Sequence, residues 1–129
     1  MSPLRESTHE SGAAAEKAAC AFLEARGAQV VGRNFRARGG EIDIVAREGD
    51  VLVFVEVRFR EGEEFGAPEE TVGFAKRRKI AAAARDYIGR IPPGSWREAR
   101  FDVVTITGRG AEAVVRHIPG AFDARGKIL

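Results

Sequence analysis

Two carboxylates on either side of a short turn give this chain its clearest chemical signal. Asp43 and Glu56 lie in the stretch GGEIDIVAREGDVLVFVEVRFR, which runs from Gly39 to Arg60. Glu41 to Arg47 and Val51 to Arg60 alternate apolar and polar residues, and Gly49-Asp50 between them is a two-residue hairpin signal. If those two residues are the whole loop, Glu48 pairs with Val51, Asp43 faces Glu56 and Glu41 faces Arg58. Residues so opposed have Cβ atoms roughly 4.5–5.5 Å apart, and like charges there destabilise a sheet. A hard divalent cation would relieve Asp43 and Glu56, because Mg²⁺ takes one or two protein carboxylates and leaves other positions for water and phosphate oxygens.

A solvent-facing strand with an ordinary Glu41–Arg58 ion pair would produce the same pattern. Against it, Leu52 and Phe54 share the face of Glu56, while Val53, Val55, Val57 and Phe59 share the other. A strand apolar on both faces is a buried central strand, and buried carboxylates are paired or bind metal. A three-residue loop without a bulge would instead set Asp43 opposite Val55.

The elements that position this hairpin follow from periodicity. After a loose tail over residues 1–6, Ser7 and Glu10 have capping-box spacing for a helix from about Thr8 to Arg26, ended by Gly27. Glu16 precedes the apolar Leu23 by two helical turns, so it faces inward or stands at the core's edge, which an ordinary amphipathic flank explains equally well. A strand over Gln29 to Arg36 leads through Arg38-Gly39-Gly40 into the hairpin. A long acidic loop over residues 61–70, with Phe65 in it, follows. The second helix, Thr71 to Arg90, carries an apolar stripe of Val72, Ile80, Ala83, Ala84, Tyr87 and Ile88. Lys76 falls on that stripe and either snorkels to water or serves a polar site. Arg100 to Thr107 and Ala113 to Ile118 read as strands, with Trp96 and Phe122 covering ends of the core. The crossover through the second helix suits a parallel βαβ unit. The fold expected is α/β, a mixed sheet of about five strands flanked by helices, in one domain over residues 1–129.

Composition narrows the class. The chain has 129 residues, no apolar run long enough to span a bilayer and no secretory pattern, so a cytoplasmic protein without a membrane is expected. Cys20 lies among alanines, where inert packing is the expectation. His117 has no Cys or second His near it and reads as structural; Asp102 could join the charged cluster, but an aspartate in an edge strand is ordinarily just solvated. Net charge is only +2, but basic residues gather at Arg33-Arg36-Arg38, Arg58-Arg60, Lys76-Arg77-Arg78-Lys79 and Arg97-Arg100. Clustered cations on one face would be the footprint of nucleic-acid binding, whereas any single cluster is ordinarily a solvated face.

The inward Glu16, Gly39-Gly40-Glu41-Ile42-Asp43 and Val55-Glu56-Val57-Arg58 together resemble the PD-(D/E)XK nuclease superfamily, with its restriction-endonuclease-like αβββαβ core. More closely, GAAAEKAACAFLEARG, NFRARGGEIDIVARE, LVFVEVRFR, the Lys76-to-Tyr87 helix and RFDVV are similar to the YraN-like bacterial family, from about Gly12 to Phe122. The resemblance implies a metal-dependent endonuclease acting on structured or branched DNA, with Mg²⁺ or Mn²⁺ as cofactor. Asp43, Glu56 and the carbonyl of Val57 would then be metal ligands, and Glu16 the helical acid of Holliday-junction-resolvase-like relatives. Arg58 stands where the superfamily has lysine. Arginine can stabilise charge on phosphate but is never a general base, so either Lys76 supplies the missing ammonium, metal alone activates the water, or the site binds DNA without cutting it. Arg36, Arg38, Arg60 and Arg77 are the expected nucleic-acid contacts, and the resemblance leaves room for a homodimer.

Overall fold

The structure, a computed structural model, describes residues 3–60, 72–108 and 110–129, with side chains on the first helix from Gly12 onward. The Ser7 and Glu10 side chains, the acidic loop with Phe65, and Arg109 lie outside the described residues. The elements are α1 (Pro3–Ala25), β1 (Gln29–Ala37), β2 (Gly40–Glu48), β3 (Val51–Arg60), α2 (Phe74–Gly89), β4 (Glu98–Thr107) and β5 (Val114–Phe122). They form an α/β fold around one five-stranded mixed sheet in the order β1-β2-β3-β4-β5. Only β3 and β4 run parallel, because only they are joined by a helical crossover.

The β2–β3 hairpin closes as its turn residues demand. Gly49 takes the left-handed conformation (φ 64°), and Glu48 pairs with Val51. From there β3 runs through the middle of the sheet with both faces covered. Leu52 and Phe54 pack with Ile80, Ala83 and Ala84 of α2, whereas Val53 and Val55 pack with Ala15, Ala19 and Leu23 of α1. Alanines on both helices let their backbones lie close to the sheet. The β1–β2 turn approaches α2 so closely that a Cβ at Gly40 would overlap the backbone carbonyl of Lys79, which is the reason for glycine there. α1 ends at Gly27 (φ 93°), with the Ala28 N–H bonded back to the Leu23 carbonyl at 3.1 Å. No helix among the described residues is long and apolar enough to cross a membrane.

Several boundaries differ from those read in the sequence. α1 begins at Pro3, so residues 3–6 expected in a tail are helical; proline is well tolerated in a first turn. α2 starts at Phe74 after an extended Gly73, leaving the buried Val72 ahead of the helix. β5 continues through Pro119 and Gly120 (φ 60°) to Phe122, whose ring stacks on Phe101 at 5.0 Å between centroids.

Asp102 is the largest correction. β4 is an interior strand, and Asp102 is fully buried rather than solvated. Its carboxylate accepts hydrogen bonds from Arg100 (2.8 and 3.0 Å) and the Gly120 N–H (3.0 Å), and lies 2.7 Å from His117 Nε2. Burial pushes its pKa up, but the hydrogen bonds from His117, Arg100 and Gly120 outweigh that and hold the carboxyl below its ordinary value. His117 is thus a structural histidine, held by Asp102 and set edge-on to Phe22. Cys20 is buried, and burial raises its thiol pKa, as inert packing requires.

Candidate metal centre and nucleic-acid surface

The chemistry predicted for the hairpin depends on how its strands part. The β2–β3 ladder ends at the pair Ile44 and Val55. In a regular antiparallel ladder the next residues to exchange backbone hydrogen bonds would be Ile42 and Val57. Here the Val57 N–H instead donates to Asp43 Oδ2 at 2.8 Å. The N–H and C=O of one residue in a strand point to the same side, so the Val57 carbonyl also looks into the gap beside Asp43. Strand divergence therefore gathers two side-chain carboxyls and one carbonyl at a fork.

A break in the pleat makes the fork. Ile42 packs on the α2 side of the sheet, yet Ile44, two residues on, packs on the α1 side. Strict alternation would put both on one face. β1 changes face at the same level: Arg33, paired with Ile44, reaches Glu16 on the α1 side, whereas Phe35, two residues on, packs on the α2 side, with Asn34 between them at φ 52°. Asparagine is among the few residues that adopt this conformation readily. Asn34 lies level with Asp43, between the pairs Arg33–Ile44 and Phe35–Ile42. Irregular pairing of this kind re-aims a side chain, and the sequence reading of this strand gave Asn34 no part.

Glu56 lies next to Asp43 and is only 3% exposed. Burial above all, then the charge of Asp43 and a hydrogen bond with it, push the Glu56 pKa up to about 8, against the attraction of Lys76 and Arg58. At neutral pH the buried Glu56 carboxyl therefore keeps its proton beside Asp43. Lys76 Nζ and an Arg58 terminal nitrogen each lie 3.7 Å from the same oxygen, Glu56 Oε2. The lysine thus reaches the carboxylates from α2, across from the strand position where arginine stands.

Two adjacent carboxyls, one of them buried, beside an inward carbonyl, fit a hard divalent cation that needs few protein ligands. Among the described residues no group of three or more His, Cys, Asp or Glu side chains gathers to hold a metal. Glu16 is accordingly separate. It stands on α1, partly buried, with Arg33 at 4.0 Å. Glu41 also leaves the expected arrangement: it pairs across β1 with Arg36, at 3.9 Å, rather than facing Arg58.

The expected nucleic-acid contacts divide. Arg36 and Arg38 line an open cleft of about 510 Å³ between the β1–β2 turn and α2, together with Lys76, Lys79 and Glu41. Four cations against one carboxylate make it an anion-attracting surface, and Lys76 joins it to the carboxyl pair. Lys79 was missed as a site residue, although its spacing of three from Lys76 puts both on one side of the helix. Arg60 and Arg77 do not belong to this surface. Arg60 is buried at the end of β3. Arg77 donates to the carbonyls of Gly126 and Val72, both at 2.5 Å, and so fastens the C-terminal turn to α2.

A mixed sheet in αβββαβ order, with paired carboxyls where its second and third strands part, is the restriction-endonuclease-like architecture of PD-(D/E)XK proteins. The family comparison is more particular. The model of the Uncharacterised protein family UPF0102 matches residues 15–106, and the chain belongs to that family, the YraN-like group its motifs resemble. A UPF0102 protein of Myxococcus xanthus is 48% identical over 121 residues, covering 89% of this chain and 90% of its own. One from Anaeromyxobacter dehalogenans is 47% identical over 117 residues, covering 90% and 86%. A third, from Rhodococcus jostii, is 43% identical over 112 residues, covering 86% and 94%.

Proposed function

We propose that this protein is a divalent-metal-dependent endonuclease that hydrolyses phosphodiester bonds in structured or branched DNA. The observation that carries the reading is the buried Glu56 carboxyl, set beside Asp43 and flanked by Lys76 and Arg58 at 3.7 Å. Asp43, Glu56 and the Val57 carbonyl are the groups that would hold Mg²⁺ or Mn²⁺. Such an ion, when bound, would polarise a phosphoryl oxygen and make water a better nucleophile at neutral pH.

The chain's own residues supply the rest. Lys76 offers the ammonium that the strand lacks at Arg58, and both cations can neutralise charge developing on a phosphate. Arg58 contributes charge and orientation but no proton acceptance. Arg36, Arg38 and Lys79 extend the positive surface along which a phosphate backbone would lie. Glu16 has no part in this reading, since its partner is Arg33.

Arg58 in the lysine position favours a second reading, a nuclease-fold module that binds DNA without cutting it. One experiment separates the two. Purified protein is incubated with labelled duplex, single-stranded, flap and four-way-junction DNA in Mg²⁺, Mn²⁺ or chelator, beside Asp43→Ala, Glu56→Ala and Lys76→Ala. Metal-dependent cutting that the variants lose supports the nuclease. Binding with no cutting under any metal assigns the second reading, and undiminished cutting by Asp43→Ala removes the proposed site.

A further inference from the structure

α2 presents a second basic face, apart from the one that reaches the carboxyls. Phe74, at its first turn, leaves 54% of its surface exposed, which is unusual for an aromatic residue with a buried core beneath the same helix. The guanidinium carbons of Arg77 and Arg78 lie 5.6 and 5.8 Å from the centre of its ring. Beside it runs a groove of about 280 Å³ lined by Phe74, Arg78, Arg85, Ala124 and Arg125. Three of those five residues are cationic and none is acidic.

The groove is built rather than loose. Its far wall is the turn over residues 123–127, where Asp123 Oδ1 accepts the N–H groups of Arg125 and Lys127, both at 2.9 Å. Arg77 fastens that turn to α2 by its bond to the Gly126 carbonyl, and Gly126 packs on the stem of Arg78, where an added Cβ would come within 3.1 Å of Cγ. Arg85 reaches the Ala124 carbonyl at 3.5 Å. The aromatic ring and the arginines are thus held on two elements locked to one another.

An exposed ring within a rim of arginines matches one ligand chemistry better than any other. Unpaired nucleobases offer π-faces to stack on an aromatic side chain, and their phosphates offer the negative charge. A paired base has both faces covered by its neighbours and cannot use the ring. We propose that this groove binds a single-stranded segment of nucleic acid, one base stacking on Phe74 and the flanking phosphates meeting Arg78, Arg85 and Arg125. This rests on the nucleic-acid reading above and deepens it, since a branched substrate is one that supplies an unpaired strand.

The test is equilibrium binding in chelator, which needs no cleavage. Fluorescence anisotropy at low salt would compare labelled oligo-dT with a duplex for the parent, Phe74→Ala, Phe74→Trp and Arg125→Glu. Removing one stacking ring should weaken oligo-dT binding about five- to 150-fold. Duplex binding should stay within about twofold, tryptophan should preserve the single-strand affinity, and Arg125→Glu should weaken it. Equal losses on both ligands, or no loss in Phe74→Ala, overturn the groove; so does a poly-glutamate peptide that outcompetes oligo-dT. Cutting without dependence on Phe74 would leave the nuclease standing and the groove refuted, whereas Phe74-dependent binding without cutting would do the reverse.

Discussion

Replacing Glu56 by glutamine removes a titration while keeping the side chain's size, and its effect follows from the burial of that carboxyl. Burial first and Asp43 second raise the Glu56 pKa from 4.5 to about 8. An acid whose folded pKa is raised binds its proton more tightly in the folded protein. The stability it contributes is therefore complete below about pH 4.5 and is lost as pH climbs through about 8. At about 1.4 kcal/mol per pH decade the interval from 4.5 to about 8 amounts to roughly 5 kcal/mol, a large part of a small domain's stability. In chelator, urea unfolding of the parent should lose roughly 3–5 kcal/mol between pH 5 and 9 from this source. Glu56→Gln should lose much less, so the two curves diverge with rising pH and the variant becomes the more stable protein in alkali. If the carboxyls hold a divalent cation as proposed, Mn²⁺ should restore the parent at high pH by compensating the charge on Glu56, and should do little for the variant. Parallel pH slopes for the two proteins would refute the argument that Glu56 is buried with its proton.

Two further substitutions test the frame around the site. Asp102→Asn leaves Arg100 and His117 facing a neutral amide in a buried place and should cost about 3–5 kcal/mol of urea stability at pH 7. Because the Asp102 pKa is lowered, its contribution is present above the ordinary carboxylate range and lost as pH falls through the folded value, so the parent and variant should converge in acid. A deficit below about 1 kcal/mol would show that the network is dispensable. Gly40→Ala drives a Cβ into the Lys79 carbonyl and should cost about 1–3 kcal/mol, whereas Gly12→Ala, with open space around it, should be neutral or mildly stabilising. Equal thermal midpoints for the two alanine variants would contradict the close seating of the β1–β2 turn on α2.

Much of this protein is legible in its residues alone, because its signals are local. Gly49-Asp50 fixes the hairpin and its register, since a two-residue turn leaves Glu48 and Val51 as the closing pair. The two-faced apolar run of β3 marks the central strand, and Lys76, four residues before Ile80 on the second helix, marks a cation turned toward the core side. What tertiary structure decided is where a local pattern is overridden by a neighbour. Asp102 looked like a solvated edge residue because a strand's position in the sheet is set by which strands pair, and its partners Arg100, His117 and Gly120 come from two strands. The fork at Asp43 arises from two strands changing face together at Asn34 and Asp43, a coincidence that neither strand's periodicity reveals. Arg60 and Arg77 count as surface charge in any tally of clusters, yet one is buried and the other spends its donors on backbone carbonyls. Residue types and spacing determined which chemistry was available; long-range packing determined which of those charges meet, because burial and hydrogen-bond partners are properties of the assembled sheet.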